Sequence, residues 1–78
     1  MAATPATVNL FSTSGCHLCA EAEAILRQVG ITAAKIDILD DDNLFDKYSL
    51  RIPVVKRIDN GAELNWSFDA VSLLRFLQ

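Results

Sequence analysis

The chain has 78 residues, of which 51% are hydrophobic, and its formal net charge at pH 7 is −3. This length allows one small domain, and the apolar content suffices for a compact core without a metal or a disulfide staple. The acidic balance, with no cluster of basic residues, argues against a nucleic-acid partner. The apolar runs are far too short to cross a bilayer, so we also expect no membrane association.

The compartment is inferred from the start of the chain. Residues 1–5 have neither the charged stretch nor the apolar stretch of a secretory signal. We therefore expect a cytoplasmic protein. In that compartment a close pair of cysteines is more often catalytic, redox-sensing or metal-binding than structural.

Taken in order, the chain begins with a loose lead-in over residues 1–6 and a first strand over residues 7–11. Ser14 is the predicted N-cap of a first helix, and Gly30 is its predicted stop. Apolar residues recur in that helix at the spacing of one helical face. The members of this predicted face are Leu18, Ala22, Ile25, Leu26 and Val29.

A second strand within residues 31–39 shows the alternation of a half-buried strand. The acidic run at residues 40–42 has two interpretations, a cation site or a solvated turn that caps the next helix. We favour the cap, because aspartate is common at helix N-termini. A short helix over residues 43–48 follows, with Leu44 and Tyr48 on one face.

Ile52-Pro53 precedes a third strand over residues 54–58, and Asn60-Gly61 predicts a tight hairpin turn. A return strand at residues 63–66 and a last helix at residues 68–77 complete the chain. The residues predicted to face inward or pack as core are Phe11, Phe45, Trp66, Phe68, Val71, Leu74, Phe76 and Leu77. The order βαβαββα predicts an α/β fold, with a four-stranded mixed sheet flanked by helices, in a single domain over residues 1–78.

The two cysteines, Cys16 and Cys19, stand two residues apart where the first strand passes into the first helix. Backbone N–H groups without helical partners and the positive end of the helix dipole both favour a thiolate at Cys16. Cys19 lies deeper in the helix and should be more shielded. This placement is typical of thiol–disulfide exchange.

Three features together resemble a known family: Ser-Gly-Cys-His-Leu-Cys after the first strand, Arg51-Ile52-Pro53-Val54 before the third, and the βαβαββα order. The chain is similar to glutaredoxin-like proteins of the thioredoxin fold, and most similar to a small bacterial group with a Cys-His-Leu-Cys motif and a late tryptophan.

The resemblance implies that Pro53 follows a cis bond and lies beside the active cysteine. It also implies that the backbone of Ile52 pairs with a cysteine-containing peptide or glutathione, as an added strand. Asp69 would cap the last helix and receive an ammonium group. The chain departs from the family in having His17-Leu18 between its cysteines, and no glycine before the last helix.

We therefore predict a dithiol–disulfide oxidoreductase, with Cys16 as nucleophile and Cys19 as resolving thiol. His17 and Arg51 are candidates for activating positive charges, or else ordinary solvent-facing residues. We expect a monomer with no bound cofactor and no metal. Glutathione is a candidate co-substrate, and the expected partner is a disulfide-containing protein or glutathione.

Two alternatives stay open. Two thiolates provide half of a four-ligand metal or iron–sulfur site, which a dimer could complete. The chain could also be a redox-inactive binding module of the same fold, with Trp66 and Phe68 as an exposed recognition patch.

Overall fold

Residues 5–78 are described by a computed structural model, so the first four residues of the predicted lead-in lie outside the described part. A short 3₁₀ turn, Ile38–Asp40, connects the second strand to the second helix. The elements in chain order are β1 (Val8–Ser12), α1 (His17–Gln28), β2 (Ala33–Asp37), α2 (Asp42–Tyr48), β3 (Val54–Arg57), β4 (Glu63–Asn65) and α3 (Ala70–Phe76). The predicted βαβαββα order is confirmed.

The four strands form one mixed sheet in the order β2-β1-β3-β4. β1 pairs with β2 in parallel, and it pairs antiparallel with β3, with Leu10 opposite Val55. β3 and β4 form the predicted antiparallel hairpin, with Val55 opposite Leu64. Because β1 and β3 run in opposite directions, the end of β1 and the start of β3 meet at one end of the sheet.

Side chains alternate between the two faces along each strand, so each face presents its own apolar residues. Both faces are covered by helices. One face packs under α1 and α3, and its buried residues are Val8, Leu10, Ala22, Leu26, Val55, Phe68 and Leu73. The opposite face packs under α2, and its buried residues are Phe11, Ile38, Tyr48 and Val54. None of the helices within residues 5–78 has the length and apolar character needed to cross a bilayer.

Helix α1 begins later than expected. Its N-cap is Cys16 rather than Ser14. The predicted inward face is confirmed at Ala22, Ile25, Leu26 and Val29, which are buried or pack against the core. Cys19 is buried, with 2% of its surface exposed, whereas Leu18 is 43% exposed. The predicted inward position of Leu18 is therefore wrong.

The C-terminal end of α1 matches the prediction. Gly30 adopts a φ of 75°, a left-handed conformation that favours glycine. The Gly30 N–H donates to the Arg27 carbonyl at 3.1 Å, and the Ile31 N–H donates to the Leu26 carbonyl at 2.9 Å. This paired arrangement is the Schellman motif, which satisfies carbonyls that have no partner within the helix.

The acidic run caps α2, as favoured from the sequence. The Asp41 carboxylate accepts the Asn43 N–H at 2.8 Å and the Leu44 N–H at 3.3 Å. Within residues 5–78 no cluster of three or more potential metal ligands occurs here or elsewhere. Phe45, predicted as core, is 45% exposed on the outer side of α2.

Helix α3 also begins later than predicted, after the N-cap Asp69. Leu73 is fully buried, while Val71 and Leu74 are 57% and 46% exposed, so their predicted inward orientation is wrong. The reason is that Phe68 enters the core ahead of the helix. The helix then turns Leu73, and partly Phe76 and Leu77, toward the sheet.

The hairpin loop between β3 and β4 spans residues 58–62, and its positive φ falls on Gly61. Arg57, for which the sequence suggested no role, links this hairpin to the C-terminal end of α3. Its guanidinium forms two hydrogen bonds with Asp59, and its Nη1 donates to the Phe76 and Gln78 carbonyls at 2.9 and 3.0 Å. A partly buried arginine head thus satisfies carbonyls at a helix end.

Leu73 provides a test of the observed face of α3. Leu73→Ala is expected to lower the free energy of unfolding by about 2–5 kcal/mol, because it removes a fully buried side chain and leaves a cavity. The neighbouring Leu74→Ala, at a half-exposed position, should change it by about 0.5 kcal/mol or less. Urea unfolding of both variants measures the difference. Equal losses would contradict this orientation of α3.

Candidate active site

The cysteine pair lies where β1, the start of α1 and the segment before β3 converge. Loop residues 13–15 connect β1 to Cys16, and the Cys16 N–H donates to the Thr13 carbonyl at 3.4 Å. Phe11 pairs with Val54, so the sheet register brings Pro53 alongside the end of β1. The topology therefore places the cysteine motif and the Ile52-Pro53 segment at the same end of the sheet.

Cys16 and Cys19 form a disulfide, with their Cα atoms 5.2 Å apart. Cys16 is half-buried, while Cys19 is almost fully enclosed, which confirms its predicted shielding. As the N-cap residue, Cys16 accepts the Cys19 N–H on its Sγ atom at 3.2 Å. A negative charge on this sulfur would be stabilised by that N–H and by the positive end of the α1 dipole.

An open groove of about 380 Å³ runs beside the disulfide, between the start of α1 and strand β2. Both cysteines line it, together with His17, Glu23 and Lys35. The Lys35 Nζ atom and a Glu23 carboxylate oxygen form an ion pair at 3.3 Å. The groove thus brings an opposite-charge pair close to the sulfur atoms.

His17 is the first residue of α1, and its side chain is exposed at the rim of the groove. This position is compatible with an activating positive charge near Cys16 and equally with an ordinary solvent-facing residue. Its activating role stays a prediction.

The peptide bond between Ile52 and Pro53 is cis, and Pro53 is buried. The Pro53 carbonyl accepts the Trp66 N–H at 3.3 Å, which ties this segment to the end of β4. The Ile52 N–H donates to the Tyr48 carbonyl at 3.1 Å, so this donor is already used within the chain. Of the two Ile52 backbone groups predicted to pair with a substrate, the carbonyl is the one without a backbone partner in residues 5–78.

Arg51 is held by strand β4. Its Nη2 atom donates at 3.0 Å to Glu63 and at 3.0 Å to Asn65, and its guanidinium lies 5.1 Å from the centre of the Tyr48 ring. Its activating role stays a prediction.

Tyr48 and Glu63 are the site residues that the sequence analysis missed. The Tyr48 hydroxyl donates to the second Glu63 carboxylate oxygen, and its ring stacks on Phe11 with centroids 4.2 Å apart. Burial, followed by the hydrogen bond to Glu63, raises the pKa of Tyr48 to about 12. The same hydrogen bond and the Arg51 guanidinium hold the pKa of Glu63 below its ordinary value.

Asp69 caps α3 as predicted, accepting the Ser72 N–H at 2.8 Å and the Ser72 hydroxyl at 2.7 Å. These hydrogen bonds lower the pKa of Asp69, which keeps the carboxylate charged. Binding of a substrate ammonium group there stays a prediction. Trp66 and Phe68 meet edge to face and pack against the core under α1 and α3, in line with the packing role favoured from the sequence.

The sequence of this chain is similar to that of a known protein family. The family model described as "Glutaredoxin-like domain (DUF836)" matches residues 7–78. No curated protein gives a significant match.

Solved structures give the same picture. The X-ray structure of target protein XcR50 from X. campestris superposes with a TM-score of 0.83 at 37% identity, covering 90% of this chain and 93% of that one. The solution structure of protein Ne2328 from Nitrosomonas europaea gives a TM-score of 0.80 at 25% identity, covering 100% and 98%. Thioredoxin 1 from Thermosipho africanus, with a TM-score of 0.53 at 16% identity over 90% and 92% of the two chains, shares the fold alone.

Proposed function

The chain belongs to the family of glutaredoxin-like domains, and from this premise we propose that it is a thiol–disulfide oxidoreductase. Cys16 acts as the nucleophile and Cys19 as the resolving thiol. The observation that carries the proposal is the disulfide at the N-terminus of α1, with the Cys19 N–H directed at the Cys16 sulfur.

The reaction begins with the reduced pair. The Cys16 thiolate attacks one sulfur of a substrate disulfide, which expels the other sulfur as a thiolate and forms a mixed disulfide. Cys19 then loses its proton and attacks the Cys16 sulfur, which releases the second substrate thiol. Two electrons have passed to the substrate, and the protein is left with the Cys16–Cys19 disulfide.

The shape of the site supports this division of roles. Cys16 is partly exposed and can meet a disulfide in the groove, while the enclosed Cys19 reaches only the Cys16 sulfur. The proposed substrate contacts are the Ile52 carbonyl beside Pro53 and the charged Asp69 carboxylate. The proposed partner is a disulfide-containing protein or glutathione. Glutathione, as a thiol, would return the electrons to the Cys16–Cys19 disulfide. We propose that the protein acts as a cytoplasmic monomer.

The proposal is tested by equilibrating the protein in defined glutathione buffers, alkylating the free thiols and measuring the molecular masses of the products. We expect a reversible two-electron transition between the dithiol and the disulfide, with a glutathione adduct on Cys16 as the intermediate. A reversible transition in which no adduct accumulates would keep the dithiol chemistry but point to a protein thiol as the electron donor. A pair that never forms a disulfide at any buffer ratio would contradict the proposed function.

A further inference from the structure

We infer that Glu63, Tyr48 and Arg51 form a positioning cluster that holds the backbone of Ile52 where a substrate binds. The inference rests on the proposed function, since it assigns the residues that prepare its substrate contact. None of the three is a catalytic residue, because each acts on the substrate through the segment before Pro53.

Glu63 is the centre of the cluster, because each of its carboxylate oxygens accepts a different donor. One oxygen accepts the Tyr48 hydroxyl, and the other accepts the Arg51 Nη2 at 3.0 Å. Arg51 donates from the same nitrogen to the Asn65 side chain. A carboxylate, a guanidinium and a phenol are thereby joined across α2, the segment before β3 and strand β4.

The cluster has little freedom to rearrange. Tyr48 is 1% exposed, its ring stacks on Phe11, and the Arg51 guanidinium lies 5.1 Å from the ring centre. Glu63 is half-buried, with 22% of its side chain exposed. Hydrogen bonds to charged groups in such partly dry surroundings are stronger than exposed ones, so they hold side chains in defined positions.

The link from the cluster to the substrate contact runs through the backbone. The Arg51 N–H and the Ile52 N–H both donate to the Tyr48 carbonyl, at 2.8 and 3.1 Å. The segment is therefore held at its backbone by Tyr48 and at its Arg51 side chain by β4. Because the Ile52 N–H already donates to Tyr48, the Ile52 carbonyl is the backbone group that can accept a substrate N–H. Any shift of Arg51 would displace that carbonyl.

This arrangement predicts a specific kinetic effect for Glu63→Gln. The change keeps the size of the side chain but removes the charge that holds Arg51. With a disulfide between glutathione and a cysteine-containing peptide as the probe, KM is expected to rise about tenfold, because the binding backbone is misplaced. The value of kcat and the rate at which iodoacetamide alkylates reduced Cys16 should stay within about twofold of wild type.

Asp46→Asn provides the matched control, since it removes one negative charge from an exposed position on α2 outside the cluster. Tyr48→Phe, which keeps the ring and removes only the hydroxyl, should raise KM in the same direction. It replaces Glu63→Gln if that variant does not fold. An unchanged KM in a folded variant would overturn the inference. A changed alkylation rate of Cys16 would also overturn it, because Arg51 would then act on the sulfur.

A second readout separates this inference from the proposed function. Hydrogen exchange of the Arg51 and Ile52 amides, measured by NMR, should accelerate at least about tenfold in Glu63→Gln, with the Val55 amide as an internal reference. Accelerated exchange in a protein without disulfide turnover would support the cluster and contradict the proposed function. Unchanged exchange at both amides would overturn the cluster, whatever the activity.

Discussion

Replacement of Cys16 by serine is expected to abolish thiol–disulfide exchange, lowering its rate by roughly a thousandfold or more. The serine hydroxyl is not ionised near neutral pH and cannot form the mixed disulfide through which exchange proceeds. The hydrogen bond from the Cys19 N–H and the position at the start of α1 would then act on an unreactive oxygen. The measurement is the reduction of a glutathione–peptide disulfide by the prereduced protein.

Cys19→Ser is the matched variant, because it also removes one sulfur from the pair and yet leaves the nucleophile. It should form a stable mixed disulfide between Cys16 and the substrate, visible as an added mass that a reductant removes. If Cys16→Ser formed this adduct instead, Cys19 would be the attacking thiol. That result would conflict with its 2% exposure.

The cysteine motif and the strand order were predictable from the sequence, because both depend on short-range patterns. A Cys-x-x-Cys between an apolar strand and a helical repeat fixes the place of the sulfurs in the fold. The stop at Gly30 and the cap at Asp41 follow from local chemistry in the same way, and both appear where the sequence indicates.

The inward face of α1 was predictable except in its first turn, where Cys19 is buried in place of Leu18. The inward face of α3 was not predictable to the same degree. In α3 the apolar residues surround most of the helix, and Leu73 and Leu74 both fit an inward face. Tertiary packing, with Phe68 already in the core, selects Leu73.

The Glu63 cluster could not be predicted, because it depends on a long-range register. Tyr48 and Glu63 are 15 residues apart, and they meet only because β4 pairs with β3 at this particular alignment. The one signal in the sequence was the alternation of polar Glu63 and Asn65 on β4, which indicates a polar sheet face but not its partners.

Tyr48 is expected to be among the most sensitive positions for stability. It is one of the largest fully buried side chains, and Tyr48→Ala should lower the free energy of unfolding by about 3–5 kcal/mol. For a chain of this length such a loss leaves much of the protein unfolded. Tyr48→Phe keeps the stacking on Phe11 and should lose about 1–3 kcal/mol, because one Glu63 oxygen loses its donor.

The pH dependence of stability in wild type and in Tyr48→Phe separates the contribution of the Tyr48 hydroxyl from that of its ring. The pKa of Tyr48 rises from 10.0 to about 12 on folding, because burial and the Glu63 carboxylate disfavour the phenolate. Because its pKa is raised, the Tyr48 hydroxyl contributes fully to the free energy of unfolding below about pH 10, and this contribution is lost as the pH rises toward 12. Glu63 has a lowered pKa, so its contribution is complete above its ordinary value of 4.5 and is lost as the pH falls through the lowered pKa.

The stability difference between wild type and Tyr48→Phe should therefore be largest near neutral pH and shrink by about pH 11. Urea unfolding of both proteins at these two conditions measures it. Glu63, whose pKa is lowered by the Tyr48 hydroxyl, is ionised at both pH values, so its titration does not contribute to the change. A difference that stays constant into the alkaline range would show that the hydroxyl ionises equally in the folded and unfolded chains. The hydrogen bond between Tyr48 and Glu63 would then contribute nothing to the fold, and the cluster that positions Ile52 would lose its buried member.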